Sequence, residues 1–372
     1  MDGPLHLCLP NRYPDHVHQR ITQPTVLPFP ILPLPPLVIA IYLPMTLQAR
    51  HISKAHGTTP VLHDLTFTIE KGEFVALVGP SGAGKTTLLK ILAGLLAPDQ
   101  GELSLDGVPV DSPKNKLVAG HENIRMVFQD FSLKHKMTVE ENLNYALLGY
   151  EPAYKKYRID QLLDLCHLTP FRLRFPEELS GGQQQRVAFA RALATAPDVI
   201  LMDEPFSNLD PVTKQQLLQE ARLLARETNT GILLVTHDTR DALEAADRIL
   251  VLINGKIVQD APPLALYRQP ASPDVARLLG YINVVSADTV NLLSPATHHP
   301  AGTYGLWAEN IRQGPDGTGG ILQQVIFKGP YHLVEVQLAN GATVWSCDFS
   351  KSLQAGRPVD LTLTDNSIIR FD

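Results

Sequence analysis

The run Gly79-Pro80-Ser81-Gly82-Ala83-Gly84-Lys85-Thr86 constrains this chain more than any other feature of it. It follows a compact apolar segment, Phe74 to Val78, and precedes Thr87 to Leu96, whose apolar residues recur at helical spacing. A strand, a glycine-rich turn and a helix in that order form a cradle for an anion. The glycines let successive backbone N–H groups turn inward with no Cβ in the way. The start of the helix adds its positive end. Lys85 can then reach the β- and γ-phosphates of a nucleotide, and the Thr86 hydroxyl can ligate Mg²⁺. Gly79, Ser81, Gly82, Gly84, Lys85, Thr86 and Thr87 are the candidate phosphate contacts.

Val199 to Met202 and Ile232 to Val235 are further short, fully apolar runs, of the kind buried in a mostly parallel sheet. Helical stretches are expected over 183–196 and 213–228. This is α/β architecture, with ligand-binding loops at the carboxyl ends of the strands. Two adjacent acids, Asp203 and Glu204, end the first of these runs, and such a pair is expensive there unless it meets a cation or water. Asp203 is placed to hold Mg²⁺, and Glu204, one step out of the strand, is the candidate general base. His237 follows the second run and can donate to a γ-phosphate oxygen. Ser180, Gly181 and Gly182, within Leu-Ser-Gly-Gly-Gln-Gln-Gln-Arg, offer a hydroxyl and open N–H groups just before a helix. One monomer does not need two phosphate-binding devices. The economical account is a homodimer in which this loop closes over ATP held by the partner's Lys85 loop.

Taken together, these residues resemble those of the ATP-binding subunits of ABC transporters, and within them the importer subgroup serving polyamine, maltose, sulfate or ferric-ion systems. The resemblance is dense over about 46–280. It implies a P-loop α/β nucleotide-binding fold with a helical subdomain at about 139–195, followed by a small all-β, OB-like domain over 281–372. It implies ATP and Mg²⁺, with Asp203 and Thr86 on the metal, Glu204 as catalytic glutamate and His237 as switch histidine. Gln129 is the implied glutamine contacting Mg²⁺ or the attacking water, and Ser207-Asn208-Leu209-Asp210 the implied D-loop. Residues 130–138 are expected to meet integral membrane permease subunits, with an extracytoplasmic solute-binding protein in the wider complex. The implied location is peripheral, at the cytoplasmic face of the cell membrane. An aromatic residue usually stacks on adenine about two dozen positions before the phosphate loop. Here His56 takes that place, with a smaller stacking area. Trp307-Ala308 stands where an Arg-Pro pair is expected, and the polar stretch Asp111 to Glu122 reads as a long solvated loop.

Rival classes fit less well. A soluble ABC-type ATPase acting on ribosomes or nucleic acid commonly joins two cassettes or inserts a coiled coil, and this chain has one cassette and no heptad run. A net charge of -6 also disfavours a binder of phosphate backbones. An exporter subunit is disfavoured by the C-terminal β domain. A non-hydrolysing member is disfavoured by intact Lys85, Asp203, Glu204 and His237. The three cysteines, Cys8, Cys166 and Cys347, support neither a disulfide framework nor a zinc site, and Cys166 reads as core.

Residues 1–44 are a different kind of sequence, holding ten of the thirty prolines. Each proline removes a backbone donor and obstructs a helix, and only Leu37 to Leu43 lies between prolines in the apolar part, too short to span a membrane. The segment is expected to be a disordered arm or an untranslated leader ahead of Met45. In the C-terminal region Trp307 and Trp345 are expected as core or interface anchors, and adjacent His298 and His299 as residues on opposite faces.

Overall fold

The computed structural model describes residues 46–110, 120–128, 132–207, 209–349, 353–363 and 368–371. The segment 1–44, Gln129, Asn208 and most of the 111–122 loop lie outside the described residues. The chain begins with β1 (Thr46–His56) and β2 (Thr59–Glu70), followed by β3 (Phe74–Val78), the glycine-rich loop and α1 (Lys85–Leu92). Then come β4 (Gln100–Leu105), β5 (Val108–Pro109) and β6 (Ile124–Val127), and the three helices α2 (Val139–Ala146), α3 (Pro152–Leu165) and α4 (Gly181–Leu193). The helices form the helical subdomain, closed by Leu143, Leu162, Leu163, Cys166 and Leu168 packed with Val187 of α4.

Chain and sheet then alternate through β7 (Val199–Asp203), α5 (Pro211–Thr228), β8 (Gly231–Val235), α6 (Thr239–Ala245), β9 (Arg248–Ile253) and β10 (Lys256–Ala261). The main sheet has the order β10-β9-β3-β8-β7-β6. Its interior pairs are parallel, and β10 is an antiparallel edge strand. A second, antiparallel sheet, β2-β1-β4-β5, lies over one face. Strand β3 is central, and its five residues divide by the period-two rule. Phe74, Ala76 and Val78 join the core shared with the helices, while Val75 and Leu77 join the core shared with α1 and the antiparallel sheet. Near the strand's start, Phe74 N donates to Asp247 Oδ2 at 3.1 Å, and Arg248 Nε donates to Glu73 Oε1 at 2.7 Å while its Nη2 donates to Thr68 O at 2.6 Å. These bonds fasten the two sheets together where they meet the amino end of β3.

After α7 (Pro263–Arg268) and α8 (Pro273–Leu279) the chain enters the C-terminal β domain, through β11 (Ile282–Ser286), α9 (Ala287–Leu293), β12 (Thr303–Trp307), β13 (Ile311–Phe327), β14 (His332–Leu338), β15 (Thr343–Asp348), β16 (Pro358–Leu363) and β17 (Ile369–Arg370). The strands form a three-stranded sheet, β11-β12-β17, and a four-stranded one, β15-β14-β13-β16, as expected for a small OB-like domain. Helix α9 is an addition to the all-β expectation. Its Val290 and Leu293 are buried against Leu306 of one sheet and Leu361 of the other, so it fills the space between them. Asn283 crosses the same space, donating to Leu306 O at 3.1 Å and Trp345 O at 2.8 Å and accepting from Trp345 N at 2.6 Å. Trp307 is an anchor of a particular kind. It is 2% exposed, belongs to the core of the cassette, and stacks on Tyr267 of α7 with ring centroids 4.3 Å apart.

One buried polar side chain shapes the loop ahead of the helical subdomain. Asn142 on α2 is fully buried; its Nδ2 is shared among the carbonyls of Lys134, Met137 and Thr138 at 3.0–3.1 Å, and its Oδ1 accepts from Lys134 N at 2.9 Å. Replacing Asn142 by Ala leaves those loop groups without partners. The expected loss is about 3 kcal/mol, read as a lowered urea midpoint, with faster amide exchange confined first to 134–138.

Candidate functional site

Register carries the site. Leu77 of β3 and Asp203 of β7 both pair with Val235 of β8, so the three strands end side by side. The residues just beyond them are the glycine-rich loop, Glu204 and His237. Loop and helix follow from local sequence. Gly84 is the N-cap of α1 with φ +103°, and a Cβ there would lie 2.6 Å from Leu62 Cδ2. Only glycine accepts both conditions. The loop then delivers Lys85 into a nearly closed setting, 8% exposed, where its ammonium donates to Gly79 O at 2.8 Å and Pro80 O at 3.0 Å. Burial pushes its pKa down, and the negative charges of Glu204 and Asp203 work against that. Ser81, Gly82 and Thr86 stay exposed on the open side of the loop.

Asp203 ends β7 with its carboxyl held above the ordinary carboxylate range, by burial first and by the neighbouring Glu204 second. Such a carboxylate favours a cation. Glu204 takes φ +46°, a left-handed conformation that turns its side chain out of the strand direction. The turn is stabilised by Glu204 N donating to Val235 O at 3.0 Å and by Ser207 Oγ donating to Glu204 O at 3.0 Å. Its carboxylate meets His237, with Nδ1 2.9 Å from Oε2. An ionised carboxylate only accepts, so Nδ1 carries the proton.

His56 closes β1, is exposed, and its Nε2 lies 3.4 Å from Thr87 Oγ1 at the head of α1. The departure from an aromatic residue therefore still falls beside the phosphate loop. Asp99, which the sequence did not single out, fixes the approach. Its carboxylate accepts from Lys54 Nζ at 2.6 Å and Ala55 N at 2.7 Å, and the Lys54 bond holds its pKa down. Ser180, Gly181 and Gly182 stand apart. Among the described residues none of their hydrogen bonds reaches the Gly79–Thr86 loop. Ser180 caps α4, its Oγ accepting from Gln183 N at 3.3 Å while Gln183 Oε1 accepts from Ser180 N at 2.9 Å. A Cβ at Gly182 would sit 2.7 Å from Thr213 Cγ2, so close packing of α4 on α5 also requires a small residue there. His121, expected in a solvated loop, is half-buried and accepts from Asn123 N through Nδ1 at 3.2 Å.

The parts present fit a nucleotide with a divalent cation. A buried ammonium spends its donors on the loop's own carbonyls, a cradle of small residues surrounds it, and a carboxylate held above its usual pKa stands nearby. The fold and site define a P-loop ATPase. The ABC transporter family model matches residues 62–207. The chain is 38% identical over 306 residues to the Fe(3+) ions import ATP-binding protein of Pectobacterium atrosepticum, covering 78% of this chain and 86% of that protein. It is 41% identical over 250 residues to the sulfate/thiosulfate import ATP-binding protein of Yersinia pseudotuberculosis, 66% of this chain and 68% of the other. A spermidine/putrescine import ATP-binding protein of Haemophilus influenzae is 39% identical over 246 residues, covering 66% and 65%. Among solved structures, cbiO1 from Clostridium perfringens, part of the ABC transporter complex cbiONQ, superposes with TM-score 0.56 at 26% identity, covering 68% of this chain and 97% of that one. The chain belongs to the ABC transporter family. It is an ATP-hydrolysing subunit of the importer type, the kind that works with separate transmembrane permeases.

Replacing Gly84 by Ala should cost about 2 kcal/mol of stability from left-handed backbone strain and the clash with Leu62. Nucleotide affinity should fall beyond that loss, since the loop must open to admit the new Cβ. Paired thermal melts and fluorescent-nucleotide titrations check both.

Proposed function

We propose that two copies of the chain enclose two ATP molecules, each gripped by Gly79 to Thr86 and Thr87 of one copy and covered by Ser180, Gly181 and Gly182 of the other. Closure drives a change of access in the permease partners, and hydrolysis reopens the pair. The observation that carries this reading is the meeting of Glu204 with His237 at the strand ends that also present Lys85 and Asp203. The hydrogen bonds of Ser180 to Gln183 at the head of α4, with none to the Gly79–Thr86 loop among the described residues, are consistent with the shared site.

Lys85 exchanges the Gly79 and Pro80 carbonyls for the β- and γ-phosphates. Thr86 and Asp203, with Gln129, would hold Mg²⁺, and the ion when bound would offset charge on the phosphate oxygens during phosphoryl transfer. Glu204 takes the proton of the attacking water. His237 orients it, within a constraint set by its own chemistry. A neutral imidazole has one N–H, and here Nδ1 uses it on Glu204. Donation to the γ-phosphate from Nε2 therefore requires a second proton, or release of Glu204. His56, beside Thr87 at the head of α1, would be the adenine-side contact.

A groove of about 390 Å³ beside the 132–138 stretch, lined by Arg125, Lys134, Tyr145 and Arg191, supports contact with the permease subunits there. Among the described residues no helix is long and apolar enough to cross a membrane. With the importer-type relatives, this favours a peripheral position at the cytoplasmic face, with an extracytoplasmic solute-binding protein on the far side. Among the solutes in the relatives' names, ferric ion is favoured, because that alignment extends through 78% of this chain against 66% for the sulfate and polyamine proteins.

Glu204→Gln should abolish turnover, keep ATP binding and accumulate an ATP-bound dimer on size-exclusion chromatography. Steady-state hydrolysis at the wild-type rate in this variant would sink the general-base role. A second expectation concerns pH. The elevated Asp203 pKa means that protons compete with Mg²⁺ above the ordinary carboxylate range. Mg²⁺-dependent ATP affinity should rise with pH through that elevated range, and Asp203→Asn should flatten the dependence. By linkage, the nucleotide-free fold binds this proton more tightly than the unfolded chain does. Its stability contribution from Asp203 is therefore lost as pH rises from the usual carboxylate value through the raised one.

A further inference from the structure

The segment that carries His237 is tied to α5 by a cation that the phosphate site does not use. Lys214 lies in the first turn of α5, its backbone N–H bonded to O of the N-cap residue Asp210 at 2.9 Å. Its ammonium donates to Asp238 Oδ2 at 2.7 Å and pairs with Asp241 Oδ1 at 2.7 Å. Both carboxylates are fastened again within their own segment. Asp238 Oδ1 accepts from Arg240 N at 3.1 Å, and Asp241 Oδ2 accepts from Thr236 Oγ1 at 3.3 Å. Thr236 Oγ1 in turn accepts from Asp238 N at 3.0 Å. His237 thus sits between two residues of a closed bonding ring whose only ammonium comes from another helix. Lys214 and Glu204 also line the same cavity of about 150 Å³, together with Ser207, Thr236 and His237.

We propose that Lys214 is a positioning residue for His237, coupling the first turn of α5 to the segment that presents the histidine to Glu204. The inference rests on the reading that Glu204 and His237 act on ATP. The connection to α5 matters because Ser207, just ahead of that helix, is bonded to Glu204 O, and Asp210 caps the helix through Thr213 N at 3.0 Å. Movement of the α5 head when a second copy docks is carried by Lys214 to Asp238, one residue from His237. A pair of surface charges would transmit little. The Lys214 side chain is 19% exposed, Asp241 8% and Asp238 37%, so water screens the Lys214–Asp241 pair weakly. That pair, fastened through Asp241 to Thr236 on the other side of His237, is the stiffer of the two links. Asp241 is also the group most exposed to loss of the cation, since burial already favours its neutral form.

Lys214→Met keeps the aliphatic stem and removes the charge. In the full-length protein it should lower kcat for ATP about tenfold or more, with KM for ATP within about twofold, the size of effect expected when a coupling contact is cut. Lys214→Arg should restore most of kcat. The double variant K214M/D241N removes the buried unpaired carboxylate, so it should recover the melting temperature without recovering kcat. Wild-type kcat in K214M overturns the proposal. So does kcat recovering in step with Tm in the double variant, which would make the pair a stabilising contact alone. Glu204→Gln, assayed beside them, keeps the two readings distinct. Turnover in that variant removes the general-base role whatever Lys214 does, whereas loss of turnover there with full activity in K214M removes only the Lys214 role.

Discussion

Grip on a phosphate depends here on strand β3 being enclosed on every side. Its faces are covered by two separate cores, and its edges are paired with β8 and β9 in parallel register. All five residues are fully buried. A strand held this way has no freedom to slide, because a one-residue slip would exchange Phe74 and Ala76 with Val75 and Leu77 between cores of different shape. The glycine loop inherits that rigidity at its first residue. The same argument extends to β7 and β8, whose ends are fixed relative to β3 by pairing through Val235. Asp203, Glu204, His237 and Lys85 come from distant parts of the chain, yet their mutual positions follow from one sheet.

Electrostatics at that meeting point is arranged for a ligand rather than for the empty site. A buried ammonium whose pKa is pushed down and a carboxylate whose pKa is pushed up are each in the less comfortable protonation balance. Bringing in a polyanion with a divalent cation relieves both. The conformational side is similar. Glu204 occupies a left-handed backbone position that an ordinary residue adopts at some expense, and bonds from Ser207 and to Val235 hold it there. Strain concentrated at a residue proposed to act on ATP fits the general tendency of functional sites to store it.

Much of this was legible in the sequence because the features are local. The glycine loop, the acidic pair after an apolar strand and the serine before a helix each demand their residues within a few positions, and the structure has them on a strand-loop-helix, a strand end and a helix cap. Features made by contact between remote segments left no such trace. Nothing near Asp99 announces that it anchors the tip of β1 beside His56, and nothing near Lys214 announces its two carboxylate partners. Glu204 shows the limit sharply, since its placement after the strand was readable and its left-handed turn was not. Helix α9 was missed because seven residues among glycine-punctuated strands carry too little periodicity to stand out, and its role is to fill a gap between two sheets. Gln129 and Asn208 fall outside the described residues, so their implied roles stay with the resemblance.

Trp307 belongs by sequence to the C-terminal β domain and by packing to the ATPase cassette. Its ring lies flat on Tyr267, whose hydroxyl bonds to Glu309 two residues further along the same β-domain segment. The cassette is therefore unfinished without a piece of its neighbour. Cutting the chain after α8 would leave an indole-sized void in the larger domain as well as a raw edge on the smaller one. A cassette exchanged between chains would have to bring a matching plug, because the boundary near 280 behaves as a shared wall.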